Sequence, residues 1–277
     1  MSPKIDNLRL EIDGPVAHLL IDRADKRNAF NMAMWEAMPG LMQQACASEG
    51  VRVLVIRAAK EGGAFCAGAD IAELLANKDD ADWRARNQSA INRVQYELAR
   101  LELPTVAIVE GDCIGGGCGI AMACDLRVAT TPKARFGITP AKLCLVYPLH
   151  DVKLLVDLVG PGQAKRLLYT GRLIHAVEAE QIGLIEELTD KPEGLIEELL
   201  AASPHSIRET KRFVRRVLDG QSEDDAESLR IFGEAFTGDP DPPRHALGHR
   251  YARIIEKVDL GPKAWRTQWD LQIVKIV

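Results

Sequence analysis

The sequence predicts a mixed α/β domain with a helical C-terminal part, and three observations predict it. Short β-branched runs alternate with longer segments of helical periodicity. Two of the strands pass through glycine loops directly into helices. From residue 149 onward the pattern is almost wholly helical. The expected division is a core over residues 1–200 and a helical region over residues 201–277.

Each element follows from local pattern. Residues 8–21 (LRLEIDGPVAHLLI) read as two strands about the turn Asp13-Gly14-Pro15. Residues 22–30 form a polar loop. A helix follows with Asn31 as its N-cap, and Met34, Met38, Leu41 and Met42 fall on one face as core. A strand over 51–57 leads to a glycine-containing loop, 62–70, and a helix begins over 71–75. The charged stretch NKDDADWRARN is expected on the surface, and 88–101 is an amphipathic helix that stops before Pro104. A buried strand spans 106–109, and helix-forming small residues span 118–124. Short strands follow at 126–129 and 135–137, then a turn over 139–148. Helices are expected over 149–159 and 161–170, within 170–184 ending at Gly183, and twice within 189–220. From residue 223 the chain again reads as helix, broken by the GDPDPP run at 238–243.

Composition narrows the function classes. The 277 residues suit one large domain, with or without an appendage, and bury a sizeable core without staples. Apolar content of 47% beside 27% charged residues is ordinary for a soluble globular protein. A net charge of −5 with no long basic run argues against nucleic acid as a partner, and 5% aromatic residues offer few stacking platforms. No basic-then-apolar leader and no membrane-length apolar run is present, so the expected location is cytoplasmic and off the membrane. The six cysteines (46, 66, 113, 118, 124 and 144) make no CxxC pair and accompany no paired histidines. Cys113 and Cys118 are read as small buried residues, and no metal site is expected.

The chemistry centres on residues 104–125, PTVAIVEGDCIGGGCGIAMACD. A strand, the glycines 111, 115, 116 and 117, and a helix start together aim free N–H groups and a helix dipole at one point. Such a point suits a phosphate, or the oxyanion that develops on a reacting carbonyl. Neither GxGxxG in register nor GxxxxGK[ST] is present, so a nucleotide phosphate loop is not indicated. The plainer alternative is a tight turn where helix and strand pack closely. GGAFCAGAD (62–70) repeats the same layout upstream.

Five motifs, DRADKRNAF (22–30), AFCAGADIAEL (64–74), AIVEGDCIGGGCGIAMACDLRVAT (107–130), RFGITPAKLCLVYP (135–148) and LLYTGRLIHAVEAEQIGL (167–184), occur in order. Over roughly residues 7–220 the chain resembles the crotonase family, the enoyl-CoA hydratase/isomerase superfamily. The resemblance implies a spiral of ββα units whose helical C-terminal region packs a homotrimer or a dimer of trimers. It implies an acyl-CoA substrate and no cofactor, coenzyme A being part of the thioester. By the same resemblance the N–H groups of Ala69 and Gly116 form an oxyanion hole that holds the thioester oxygen as an enolate. The segments containing Lys26, Arg27 and Ala29, and Ala67, Gly68, Asp70 and Ile71, would line the coenzyme A nucleotide. Lys26 or Arg27 would meet its 3′-phosphate or pyrophosphate, or else is a solvated loop charge. Asp70 is read as a helix cap and Asp125 as structural.

The pattern departs from the family at the acid and base. Hydratases of the family carry glutamates where this chain has Gly119 and Pro140, and the isomerase acid would fall near Pro148. None of the three can transfer a proton. The remaining candidates are Thr139, Tyr147, His150 and Asp151. Thr139 and Tyr147 resemble the polar pair of members that decarboxylate methylmalonyl-CoA, although those carry histidine at Ala69 and glutamate at Gly119. Tyr147 is alternatively a loop cap, and Asp151 a residue favoured at a helix N-terminus. Adjacent helical residues face different ways, so at most one of His150 and Asp151 faces the acyl pocket. Three readings stand: a decarboxylase-type acyl-CoA lyase, an atypical hydratase or hydrolase that uses Tyr147, His150 or Asp151, or a coenzyme A-binding or assembly protein without catalysis. The segment at 242–250 departs from the family's C-terminal pattern.

Overall fold

The structure, a computed structural model, describes residues 4–237; the GDPDPP run and the segment at 242–250 lie outside the described residues. The chain divides into two compact units, residues 1–223 and 224–277.

The first unit starts with an antiparallel meander of β1 (Lys4–Ile5), β2 (Leu8–Asp13) and β3 (Val16–Ile21). Gly14 turns the β2–β3 hairpin with φ +52°. Next comes α1 (Met32–Ala47), whose cap Asn31 accepts from Met34 N at 3.0 Å. Met34, Met38, Leu41 and Met42 are buried together with Trp35, so the methionine stripe is core. Parallel pairing extends the sheet through β4 (Val53–Ala58), β5 (Thr105–Val109), β7 (Leu126–Ala129) and β10 (Glu187–Leu188), in the order β1-β2-β3-β4-β5-β7-β10. A second sheet joins β6 (Asp112–Ile114), β8 (Arg135–Gly137) and β9 (Leu173–His175). The helices between them are α2 (Ile71–Ala76), α3 (Ala81–Leu98), α4 (Gly116–Ala123), α5 (Leu149–Thr170) and α6 (Ala176–Gln181). Then come α7 (Glu193–Ala201) and α8 (Pro204–Leu218). In the second unit the described helix is α9 (Ala226–Thr237). Among the described residues no helix is long and apolar enough to cross a membrane.

Several elements differ from the sequence expectation, among them the two-residue strands β1 and β10, which the sequence reading did not include. The third helix begins at Ala81 rather than at residue 88, because Asp80 caps it by accepting from Trp83 N at 2.8 Å and Trp83 is buried. Residues 112–114, expected as loop, form β6, held by Phe136 and its neighbours across the second sheet. Residues 173–175, expected within a helical stretch, form β9 on the same sheet. A three-residue strand shows no periodicity of its own and exists only through its partner. Last, the helices expected on either side of residue 160 run together as α5, kinked where Gly160 (φ +70°) precedes Pro161.

Candidate active site

Three segments lie side by side and carry both glycine loops. Ala67 N donates to Arg27 O at 3.0 Å, Phe30 N to Gly68 O at 2.8 Å, and Asp70 N to Phe30 O at 2.8 Å. On the other edge Cys66 N donates to Asp112 O at 3.0 Å and Ile114 N to Cys66 O at 2.9 Å. Asn28 pins the first segment: it sits at φ +58°, is 1% exposed, donates from Nδ2 to Ala64 O at 2.6 Å and accepts Arg23 N at 2.8 Å. Replacing Asn28 with Ala strands two half-buried backbone groups, Arg23 N and Ala64 O, and is expected to cost about 1–2 kcal/mol in urea-induced unfolding.

Ala69 N–H and Gly116 N–H are among the backbone donors left over. In the parallel bridge between Phe30 and Ala69, the hydrogen bonds use Gly68 O and Asp70 N, so Ala69 N–H is not consumed. Gly116 is the first residue of α4, where no intrahelical acceptor exists. Neither N–H has an acceptor among the described residues. The two loops touch: a Cβ on Gly68, at φ +102°, would lie 3.6 Å from Gly116 N. Gly115 (φ +54°) makes the turn into α4, with its own N–H given to Gly137 O at 2.8 Å. The Tyr147 hydroxyl stands 4.0 Å from the point a Cβ on Gly115 would take.

One carboxylate reaches this helix start. Asp151, in the first turn of α5, is 3% exposed, with Oδ1 3.2 Å from the Cβ position of Gly119. Burial pushes its carboxyl up to about 6, and Gln95 beside it partly offsets that. Gln95 comes from α3, is 0% exposed, and its Nε2 fills the space a side chain at Gly119 would need. Its amide favours the charged Asp151 while falling short of strict hydrogen-bond geometry, so Nε2 and Oε1 both lack a full partner. Burial likewise raises the Tyr147 hydroxyl well above its usual range, with Cys118 and Asp151 adding to the effect. Sequence reading missed Gln95; the available signal was a glutamine among Ile91, Val94 and Leu98 on the apolar face of its helix.

The other sequence candidates are placed elsewhere or tied up. His150 turns toward Tyr96, ring centroids 6.5 Å apart, and burial with Arg100 and Arg215 nearby lowers its imidazole. Thr139 precedes a short 3-10 helix, Pro140–Leu143, and lines a cleft of about 350 Å³ with Arg27, Ala67, Asp112, Arg135 and Lys142. In that cleft Asp112 is held by Arg27 and by a two-pronged contact from Arg135 at 2.7 and 2.8 Å, which keeps its carboxyl below the usual range. Lys26 is exposed, and Arg27, 61% exposed, sits at φ +53°. Ala29 O accepts from Arg23 at 2.8 Å, and the Ile71 side chain is exposed. Asp70 caps α2, accepting from Ala72 N at 3.0 Å and Glu73 N at 3.3 Å, and pairs with Arg23 at 2.7 Å. Asp125 is bound by Thr105 and Lys211. Cys66, Cys113, Cys118 and Cys124 are buried free thiols, and burial pushes Cys66 and Cys124 up to about 12.

The family model for enoyl-CoA hydratase/isomerase matches residues 11–236. The chain belongs to the enoyl-CoA hydratase/isomerase family. It is 32% identical over 240 residues to the short-chain-enoyl-CoA hydratase of Clostridium acetobutylicum, covering 84% of this chain and 89% of that one. The crotonyl-CoA hydratase of Syntrophomonas wolfei is 31% identical over 236 residues, covering 83% and 88%. Among solved structures, an enoyl-CoA hydratase/isomerase family protein of Hyphomonas neptunium superposes with a TM-score of 0.82 at 35% identity, covering 91% and 95%. The crotonase fold expected from the sequence is thereby established.

In this member of the enoyl-CoA hydratase/isomerase family, positions 119 and 140 carry no titratable side chain. A side chain at Gly119 would overlap Gln95 and crowd Asp151, and Pro140 is buried at the start of its 3-10 helix. The buried carboxylates among the described residues are Glu110 and Asp151. Glu110 is committed to Arg57 and to Gly62 N. Asp151 has no cation within ion-pair distance among the described residues.

Proposed function

We propose that this family member hydrates an enoyl-CoA thioester, with Asp151 as its single proton carrier. The carrying observation is the buried, cation-free Asp151 carboxyl beside Gly119, one turn into the helix that Gly116 opens. The unused N–H groups of Ala69 and Gly116 hold the thioester oxygen. They are preorganised, so stabilising charge there costs no reorientation during reaction. Ionised Asp151 takes a proton from water as the water oxygen bonds to the β-carbon, and the electrons of the double bond move onto the thioester oxygen as an enolate. The carboxylic acid so formed returns that proton to the α-carbon, the carbonyl reforms, and one water has been added. An acid with a pKa of about 6 suits both halves of this cycle near neutral pH. Tyr147, whose hydroxyl stays protonated, stands at the same corner as a proton donor available to the substrate.

The decarboxylase-type reading needs Thr139 and Tyr147 together, and the cleft lined by Thr139 has Arg27, Asp112 and Arg135 as its polar walls instead. The test is mass spectrometry of crotonyl-CoA and methylmalonyl-CoA after incubation with the protein, followed by a pH profile. Gain of water by crotonyl-CoA is expected, with kcat/KM falling as the pH drops through about 6, because protonated Asp151 accepts nothing from water. Loss of CO2 from methylmalonyl-CoA without hydration would replace this reading by decarboxylation. Absence of turnover across a broad acyl-CoA panel would replace it by a coenzyme A-binding role.

A further inference from the structure

We propose that Gln95 is a positioning residue that orients the Asp151 carboxyl and favours its ionised form from across the Gly119 gap. The inference rests on the reading of Asp151 as proton carrier and adds a residue from a different helix to it.

Three observations carry it. Gln95 is fully buried in α3 between Val94 and Leu98, where leucine or methionine would pack at lower cost. Its two polar atoms find no full partner among the described residues, so the amide is not there to satisfy a backbone group. Its Nε2 lies 2.2 Å from the point where Gly119 would carry a Cβ, and Asp151 Oδ1 lies 3.2 Å from that point. A glycine in α4 is thus the window through which α3 reaches α5. The orientation with Nε2 toward the carboxylate is the sensible one, since the flipped amide would set a carbonyl oxygen against it. A small rotation of the amide completes an N–H···O bond to the ionised carboxyl and leaves the protonated form without that gain.

Few other groups face Asp151. Tyr147, its hydroxyl held protonated by burial, approaches from the segment before α5, and Cys118 stands on α4 close to Tyr147. His150, Arg100 and Arg215 gather on the other side of the start of α5. Gln95 is therefore the polar side chain best placed to set both the direction and the proton affinity of the carboxyl.

The test uses the full chain labelled with 13C at aspartate carboxyls, with the Asp151 signal assigned by its loss in Asp151→Asn. In Gln95→Leu the Asp151 midpoint is expected to move up by about one pH unit. The acidic limb of kcat/KM should move with it while the melting temperature holds or rises. Gln95→Glu should move the midpoint further up, since a second carboxylate disfavours ionisation. Should Gln95→Leu fail to fold, Gln95→Met is read in the same way. An unchanged midpoint in a folded Leu or Met variant overturns the positioning role, even if Asp151→Asn has abolished turnover. Full turnover in Asp151→Asn would instead overturn the proton-carrier reading, and the NMR midpoint would still decide whether the two side chains are coupled.

Discussion

Asp151→Asn is expected to lower kcat for enoyl-CoA hydration by about 100- to 10,000-fold, the usual worth of a positioned general acid–base. The same substitution should make the protein more stable. The Asp151 carboxyl titrates at about 6 in the folded chain against 3.8 in its ordinary state, so the folded state holds this proton more tightly. Between those two values stability falls as pH rises, and above about 6 the full cost of a buried carboxylate with no cation beside it is felt. Asparagine carries no charge and escapes it. A gain of roughly 2–3 kcal/mol at pH 7.5 follows, shrinking toward zero near pH 4. Paired melting curves at the two pH values, with kcat measured at pH 7.5, check both halves. Retained turnover would remove Asp151 from the mechanism. A loss of stability at pH 7.5 would mean the carboxylate has a compensating partner.

Gly117→Ala is expected to destabilise the chain by at least about 3 kcal/mol, or roughly 10 °C in Tm, and to abolish turnover with it. A Cβ at this position would overlap Cys66 O and lie 2.8 Å from Cys66 Cβ and 3.0 Å from Cys66 C. Two of these three atoms are backbone, and Cys66 is the residue that hydrogen-bonds to both Asp112 and Ile114. Relief therefore requires the two glycine loops to move apart, which separates the Ala69 and Gly116 donors as well. Gly162→Ala is the matching control, because nothing lies within 4 Å of the added carbon. A Gly117→Ala variant with wild-type Tm and activity would show that the close seating of α4 on the 62–70 loop is dispensable.

Much of the architecture was legible because the signals are local. The turn at Asp13-Gly14-Pro15 marked β2 and β3, the methionine spacing marked the buried face of α1, and Asn31 and Asp70 announced themselves as caps. The short strands β6 and β9 were not legible, since β9 exists only through hydrogen bonds to β8, and β6 through bonds to β8 and to Cys66. The pairing of Arg27 and Arg135 with Asp112 was also hidden, as it joins three separate segments.

At the site the division is the same. The sequence by itself determined the family, the paired glycine loops at Ala69 and Gly116, and the impossibility of proton transfer at Gly119 and Pro140. It narrowed the replacement to a few side chains and stopped there. Only the tertiary structure turned Asp151 inward and His150 toward Tyr96, set Thr139 in the cleft with Arg27 and Arg135, and brought Gln95 from α3 into the space above Gly119. The reason is physical: a cap or an amphipathic face depends on neighbours three or four residues away. The proton affinity of a carboxyl depends on how completely unrelated segments exclude water from it, and residues 95, 119 and 151 meet only in the packed chain.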